Sequence, residues 1–326
     1  MAERFKLETG LTTARKVRPR RFGGDQILKG LVGAAAIFVV LLLIALGVEL
    51  TEGASLSLTT FGPGFLIGTT WDPVHEIFGA LPYIYGTLLT SALALLIGLP
   101  IGLGVAIFLT EKVRGSKLFG YALGTLVELL AAVPSVIYGL WGLFFLSPVL
   151  KTYVETPLHA YLGFVPLFAS VPFGLDFFTA GIILAIMIIP TVSAVSRDIL
   201  NAVPNSQREA MYSLGATHWE VIRRSVLPYA RSGIFGATIL GLGRAVGETM
   251  AVTFVIGNTP RITASLFSGG YTLSAVIANE FAEASYPLYV SALIEIGLIL
   301  FGLALIINLF ARLLIWRMTR TTRFRV

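Results

Sequence analysis

Long apolar runs separated by short polar segments organise the chain. Six runs, at about residues 30–48, 83–109, 118–146, 177–196, 233–256 and 288–311, are uncharged or nearly so. A hydrocarbon core of about 30 Å takes roughly 20 apolar residues in a helix, so each run predicts a membrane span. The first is followed by Glu49, Leu50, Thr51 and Glu52 rather than a small-residue cleavage site. It is read as a retained anchor. Pro100, Pro134 and Pro190 fall inside spans and predict kinks. Gly98 and Gly102, Gly120 and Gly124, and Gly243 and Gly247 lie four apart, the spacing that lets helix backbones approach closely. Between the spans, Thr272 to Ala284 reads as a short amphipathic helix with Leu273, Val276, Ile277 and Phe281 on one side. Trp71, Tyr83, Tyr85 and Tyr286 are placed at the membrane interface.

Composition supports the same class. Of 326 residues, 56% are hydrophobic and only 13% charged, and the mean hydropathy is +0.83. Soluble domains carry about 25% charged residues, so a soluble enzyme is excluded, as is a nucleic-acid-binding chain, despite a pI near 9.6. There is no cysteine, which removes disulfides, thiolate metal ligands and a thiol nucleophile. His75, His159 and His218 are scattered and leave little material for a metal site.

The formal net charge of +6 sorts by location. Of the 24 Lys and Arg residues, 21 lie before the first span, near 110–117, in 197–231 or after the last span. Lys151 and Arg261 lie in the opposite loops, and Arg244 lies within a span. Segments on the cytoplasmic side are enriched in basic residues, so the expectation is an inner-membrane, multi-pass chain with both termini cytoplasmic. The basic tails, residues 1–29 and 312–326, then serve orientation and contact with membrane lipid.

The 205–228 loop carries the most specific pattern. Asn205 or Ser206 is suited to cap a first helix, and Gly215 to end it in the left-handed region. Thr217 with Glu220 predicts a capping box for a second helix, which Pro228 is expected to stop. Met211, Leu214, Trp219, Val221 and Ile222 are too apolar for a free loop and suit either the chain's own bundle or a partner's groove. Glu209-Ala210-Met211, then Gly215, then Leu227-Pro228 resembles the EAA loop of ABC-importer permeases, with Met211 and Ser225 as departures from the pattern. The resemblance implies that Glu209, Ala210, Gly215, Leu227 and Pro228 form a coupling loop that docks on an ATPase subunit. No G-x-x-x-x-G-K-[ST] occurs, so ATP and its Mg ion are expected on partner subunits and no cofactor on this chain.

Charges at membrane depth supply the remaining candidates. Arg244 inside an apolar helix costs about 2.5–3.5 kcal/mol on insertion scales and needs a partner or a polar lumen. Glu248 at i+4 is expected to pair with it, with Thr249 and Thr253 nearby. Either the pair is a structural bolt, or Arg244 releases Glu248 and presents its fork of donors to an oxyanion. Glu128 and Glu295 also fall within spans. The segments 243–254 and 131–142 resemble phosphate ABC permeases, of the PstC type more than the PstA type. That resemblance implies a translocation path at Arg244, Glu248 and Thr249, with Glu128, Glu295 and Ser135 as further path or gate candidates. It also implies an all-α, six-span permease domain (residues 30–311) of the type I, MetI-like importer fold. The implied partners are a PstA-like permease, two PstB-like ATPase subunits and a PstS-like extracytoplasmic phosphate-binding protein. Competing readings are a permease for sulfate or molybdate, an ATP-independent channel or carrier, and an intramembrane enzyme. The last lacks any histidine or cysteine within a span.

Overall fold

The computed structural model describes residues 23–112 and 117–323. The expected basic segments at 1–22, 113–116 and 324–326 lie outside these. Two units are distinguished, Met1–Val48 and Glu49–Val326. Within the first, the apolar side chains from Ile27 to Val48 on helix α1 (Gly23–Gly53) are exposed.

The second unit is helical, with no strand among the described residues. After α2 (Ser55–Phe61) and α3 (Gly64–Ile67) come α4 (Leu81–Ile107), α5 (Lys117–Ala131), α6 (Ser135–Trp141), α7 (Ser147–Leu150) and α8 (Thr156–Leu162). Then follow α9 (Phe177–Asn201), α10 (Asn205–Ser213), α11 (His218–Val221), α12 (Leu227–Gly247), α13 (Met250–Val255), α14 (Leu273–Glu280) and α15 (Pro287–Arg323). Five helices among the described residues are long and apolar enough to cross a membrane: Gln26–Gly53, Leu81–Lys112, Ser135–Leu162, Phe177–Asn201 and Pro287–Arg317. The remaining expected span, 233–256, is split between α12 and α13. Helix α12 has 21 residues, about 31 Å at 1.5 Å per residue.

Two expectations about helix ends are corrected. The helix that starts at Ser135 does not stop near 146 but continues to Leu162. Pro228 does not end the second helix of the 205–228 loop; α11 runs through a π turn, Ile222–Val226, straight into α12. Both corrections have one cause. Three π turns, Gly142–Leu146, Lys151–Glu155 and Ile222–Val226, each end two residues before a proline: Pro148, Pro157 and Pro228. A helical proline lacks its N–H and its ring collides with the carbonyl four residues back. The wider π turn takes up both defects, and the helix goes on.

Helix α9 is the centre of the bundle. Its Ile183, Leu184, Met187 and Ile188 are buried and pack with Tyr138, Ala245, Ala251, Val252 and Val255. Helices α4 and α9 pack most extensively. A Cβ on Gly98 would lie 2.7 Å from Ile188, and one on Gly102 3.1 Å from Val192. Small residues at this seam let the two backbones close up, which is what drives helix association where lipid offers no hydrophobic gain. Helix α12 crosses α9 in the same way, with Gly241 against Val192 and Gly233 against Ile199. Gly243 and Gly247 behave differently, since a Cβ on either meets nothing within 4 Å.

Candidate translocation site and coupling loop

Two helices break next to one another. The first break separates α5 from α6 at residues 132–134. Proline disfavours helical backbone in the residue before it, so the turn closes with Val133 N–H donating to Leu130 O and then opens at Pro134 (ψ 138°). Tyr138 Oη donates to Leu130 O at 2.8 Å and ties the two pieces together. The second break lies at Glu248 and Thr249, where Glu248 turns extended (ψ 128°) before α13 begins. Helices α6 and α13 cross at Gly139, whose added Cβ would lie 2.6 Å from Phe254 and 3.0 Å from the Ala251 backbone. Ser135 opens α6 one turn earlier.

The break overturns the expected Arg244–Glu248 pair. The i+4 geometry requires continuous helix through both residues, and the helix ends at Gly247 between them. The Glu248 carboxylate turns instead to the next helix and accepts from Ala251 N–H at 3.3 Å. Its backbone carbonyl accepts from Ser274 Oγ at 2.8 Å. Thr249 Oγ1 donates to Gly247 O at 3.4 Å, and Thr253 Oγ1 to Thr249 O at 2.8 Å. Arg244 is half-buried in the last turn of α12, where a cation suits the helix dipole. Among the described residues its hydrogen bond is to Thr191 on α9, donated from Nη1 at 3.2 Å. Tyr138 lies within its electrostatic reach. The guanidinium is thus held from the side, with most of its donors uncommitted and with open space beside Gly243 and Gly247.

Helix α14 forms the support behind the break. Thr272 caps it by accepting from Ala275 N–H at 3.2 Å; of the expected apolar side, Leu273 and Val276 are buried and Ile277 half-buried, whereas Phe281, just past the helix end, is exposed. The helix folds back onto the bundle instead of lying on an interface, and Leu273 N–H donates to Thr87 Oγ1 on α4 at 3.0 Å.

The other charged candidates lie elsewhere. Glu128 on α5 pairs with Arg197 on α9, whose guanidinium fills the space left by Gly124. Glu295 is buried on α15 beside Ser57 of α2, and lines a groove of about 440 Å³ with Leu58, Gly62, Pro63, Leu66, Leu298 and Ile299. None of those residues belongs to α12 or α13. The structure therefore brings Arg244, Glu248, Thr249 and the Ser135 helix together and does not bring Glu128 or Glu295 to them. The expected interfacial aromatics are also corrected. Tyr83 is fully buried, and Trp71 and Tyr289 both donate to Glu280 Oε2 at 2.7 Å. Tyr286 donates to Pro73 O, and Tyr85 to Thr263 O at 2.6 Å. The Trp71 and Tyr286 bonds tie the 49–82 segment to α14 and to the start of α15, and the Tyr85 bond ties α4 to the loop before α14.

The 205–228 loop folds as its local chemistry dictates. Gly215 has φ +80°, Gly215 N–H donates to Tyr212 O, and Ala216 N–H donates to Met211 O. This is a complete Schellman stop. The Thr217–Glu220 capping box is present in both directions. The Thr217 backbone N–H first, and then the Thr217 hydroxyl, donate to the Glu220 carboxyl and hold it below the usual range. The first cap differs from expectation, because Pro204 occupies the cap position and Asn205 is the first helical residue. The apolar residues divide by face. Met211, Val221, Val226 and Leu227 pack with Ala106, Leu200 and Val203 at the ends of α4 and α9. Glu209, Ala210, Leu214 and Trp219 are exposed. Ser225, a departure from the EAA pattern, donates to Gln207 O at 3.2 Å and stitches the π turn to α10.

Residues 98–320, which include the coupling loop and both broken helices, match the family model described as binding-protein-dependent transport system inner membrane component. The chain belongs to that family. This permease is 47% identical to the phosphate transport system permease protein PstC of Mesorhizobium japonicum over 95% of its own length and 96% of the relative's. It is 49% identical to PstC of Pasteurella multocida over 87% and 89%. In fold it is similar to a bacterial ABC transporter that imports alginate, with TM-score 0.57 and 21% identity over 90% of this chain and 96% of that one. It also resembles the MetNI methionine ABC transporter, with TM-score 0.56 and 17% identity over 76% and 99%. It is a membrane-embedded helical permease of the ABC-importer type.

Sequence reasoning about this permease passed over Thr191, Tyr138 and the pair Glu111–Arg208. Thr191 follows Pro190 in an unremarkable span, and its partner is 53 residues away. Arg208 was counted among the orientation charges, yet it is buried. The one available signal was a charged residue next to a motif Glu on an otherwise exposed helix.

Proposed function

We propose that this chain is the permease subunit of an ATP-driven phosphate importer and provides half of the translocation path. The observation that carries the reading is Arg244. Its guanidinium lies at the broken helix, is released from Glu248 and is steadied by one neutral hydroxyl. A fork of uncommitted donors at membrane depth suits phosphate oxygens, and phosphate is the substrate named for the relatives at 47% and 49% identity. Glu248 and Thr249 shape the break around it. Ser135 opens the facing helix.

The path is completed by a second, PstA-like permease, and a PstS-like binding protein delivers phosphate from the extracytoplasmic side. Two PstB-like subunits hold ATP and Mg and dock on the exposed face of α10 and α11, with both termini of this chain on the same side. This chain carries out no bond chemistry. ATPase closure moves α10 and α11; because α11 is continuous with α12, the displacement reaches Arg244 along one helix.

Arg244→Gln in the assembled transporter is expected to abolish uptake of labelled phosphate while subunit stoichiometry is retained. Normal uptake would refute the path role. Competition by sulfate or molybdate at equal concentration separates the other oxyanion readings; undiminished phosphate uptake is the expected result.

A further inference from the structure

Arg208 makes four polar contacts from a helix that is otherwise open to its surroundings. Its Nη1 donates to Val203 O at 2.6 Å, two residues past the end of α9, and its Nη2 to Leu200 O at 3.0 Å in the last turn of α9. Nη2 and Nε also reach Glu111 Oε1, at 2.9 and 3.3 Å, in the π turn Phe108–Lys112 that extends α4. Both side chains are nearly closed off, at 7% and 4% exposure. Its neighbours Gln207 and Glu209 are exposed.

The last carbonyls of a helix lack intrahelical partners and attract a cation. The Leu200 carbonyl in the last turn of α9 and the Val203 carbonyl just beyond it offer Arg208 such a place. The buried ion pair needs a second reason. Desolvating two charges consumes most of what their attraction returns, so an apolar pair of equal volume would serve stability as well. A forked ion pair does supply a fixed distance and orientation between three elements. Here those elements are α10, the end of α9 and the end of α4.

The connections give that joint a direction. One side of the loop is continuous with α12 through the π turn Ile222–Val226. The other side reaches the end of α9 through a two-bond backbone grip, and the end of α4 through the Glu111 pair. Along α9, Thr191 lies nine residues before Leu200, roughly 13 Å up the helix, and there it holds Arg244. Pro190, next to Thr191, removes one backbone bond at that level.

We infer that the Arg208–Glu111 pair is the joint through which displacement of α10 is passed to α4 and α9 as one body, and so to the Thr191–Arg244 contact. Arg208 and Glu111 are positioning residues. The inference rests on the reading of α10 and α11 as the ATPase-docking surface.

The test uses the complete transporter in proteoliposomes and reads ATP hydrolysed per phosphate moved. Arg208→Lys keeps the charge and loses the fork; Glu111→Gln keeps an acceptor and loses the charge. Each is expected to raise the ratio roughly 2- to 30-fold, with the ATPase still bound in its normal amount. A purely structural role lowers hydrolysis and uptake in parallel, and an unchanged ratio would overturn the inference. Because the chain has no cysteine, the double variant E111C/R208C can be bridged by a short bifunctional thiol reagent. Restoration of the ratio on bridging supports a rigid joint; failure to restore it at full bridging overturns one. Leu214→Glu, on the exposed docking face, is expected to release the ATPase. Retention of a bound, coupled ATPase in that variant sinks the docking reading itself, and is distinguishable from an unchanged ratio in R208K.

Discussion

The contact between Thr191 and Arg244 offers a direct measure of how the proposed path cation is held. Thr191→Val keeps the β-branched shape and removes only the hydroxyl. A hydrogen bond to a charged group contributes about 1.5–3 kcal/mol. At 3.2 Å the bond is at the long end of the N–H···O range, and Arg244 is half-buried. Both place the loss near the lower figure, about 1.5 kcal/mol, or roughly tenfold in an equilibrium constant. The assay is labelled phosphate uptake against concentration in proteoliposomes, with subunit stoichiometry checked in detergent. The half-saturating phosphate concentration is expected to rise, or the maximal rate to fall, about tenfold. Thr191→Ser, which restores the hydroxyl, is expected to recover most of the loss. Uptake by Thr191→Val that matches the parent at every concentration would show that Arg244 does not depend on Thr191 in the working state.

Two further outcomes follow from local geometry. Gly215→Val places a β-branched residue at φ +80°, at a cost of roughly 1–2 kcal/mol from Cβ strain alone, since the space around it is open; weakened ATPase co-purification with normal membrane levels is the expected result, and unchanged co-purification would show that the turn does not set the docking face. Asp176, which caps α9 by accepting from Thr179 N–H at 2.9 Å, is pushed above the usual carboxylate range, chiefly by burial. The folded state thus holds a proton that the unfolded chain gives up, so stability is expected to fall as pH rises from the ordinary carboxylate range towards the raised value. Asp176→Asn keeps the cap and weakens that dependence; thermal melting in detergent across acid to neutral pH that is the same for both proteins would contradict it.

The depth of the sequence reading followed the range of the interactions. The 205–228 loop was legible almost residue by residue, because the Schellman stop and the capping box use partners within six positions. Helix α14 was legible in part: Leu273 and Val276 of its apolar side are buried, but the helix ends at Glu280 and Phe281 beyond it is exposed. The Arg244–Glu248 pair was misread by extending a local rule across a break. Nothing in the 3.6-residue period reports that Glu248 prefers Ala251 N–H on the next helix to the guanidinium behind it. Trp71 and Tyr83 read as interfacial because their type favours that place; Tyr83 is instead fully buried in the bundle, and Trp71 is half-buried with its N–H on Glu280, some 200 positions later.

Class, approximate spans and the local fold of the 205–228 loop were thus determined by the sequence itself, since hydropathy windows, caps and turns depend on neighbours along the chain. Tertiary structure alone decided which charges meet. It separated Arg244 from Glu248, assigned Glu128 to Arg197, drew Glu295 into a groove beside Ser57, and buried Arg208 between two helix ends. The physical reason is that a charge at membrane depth must find a polar partner, and the bundle supplies partners from helices far apart in the chain.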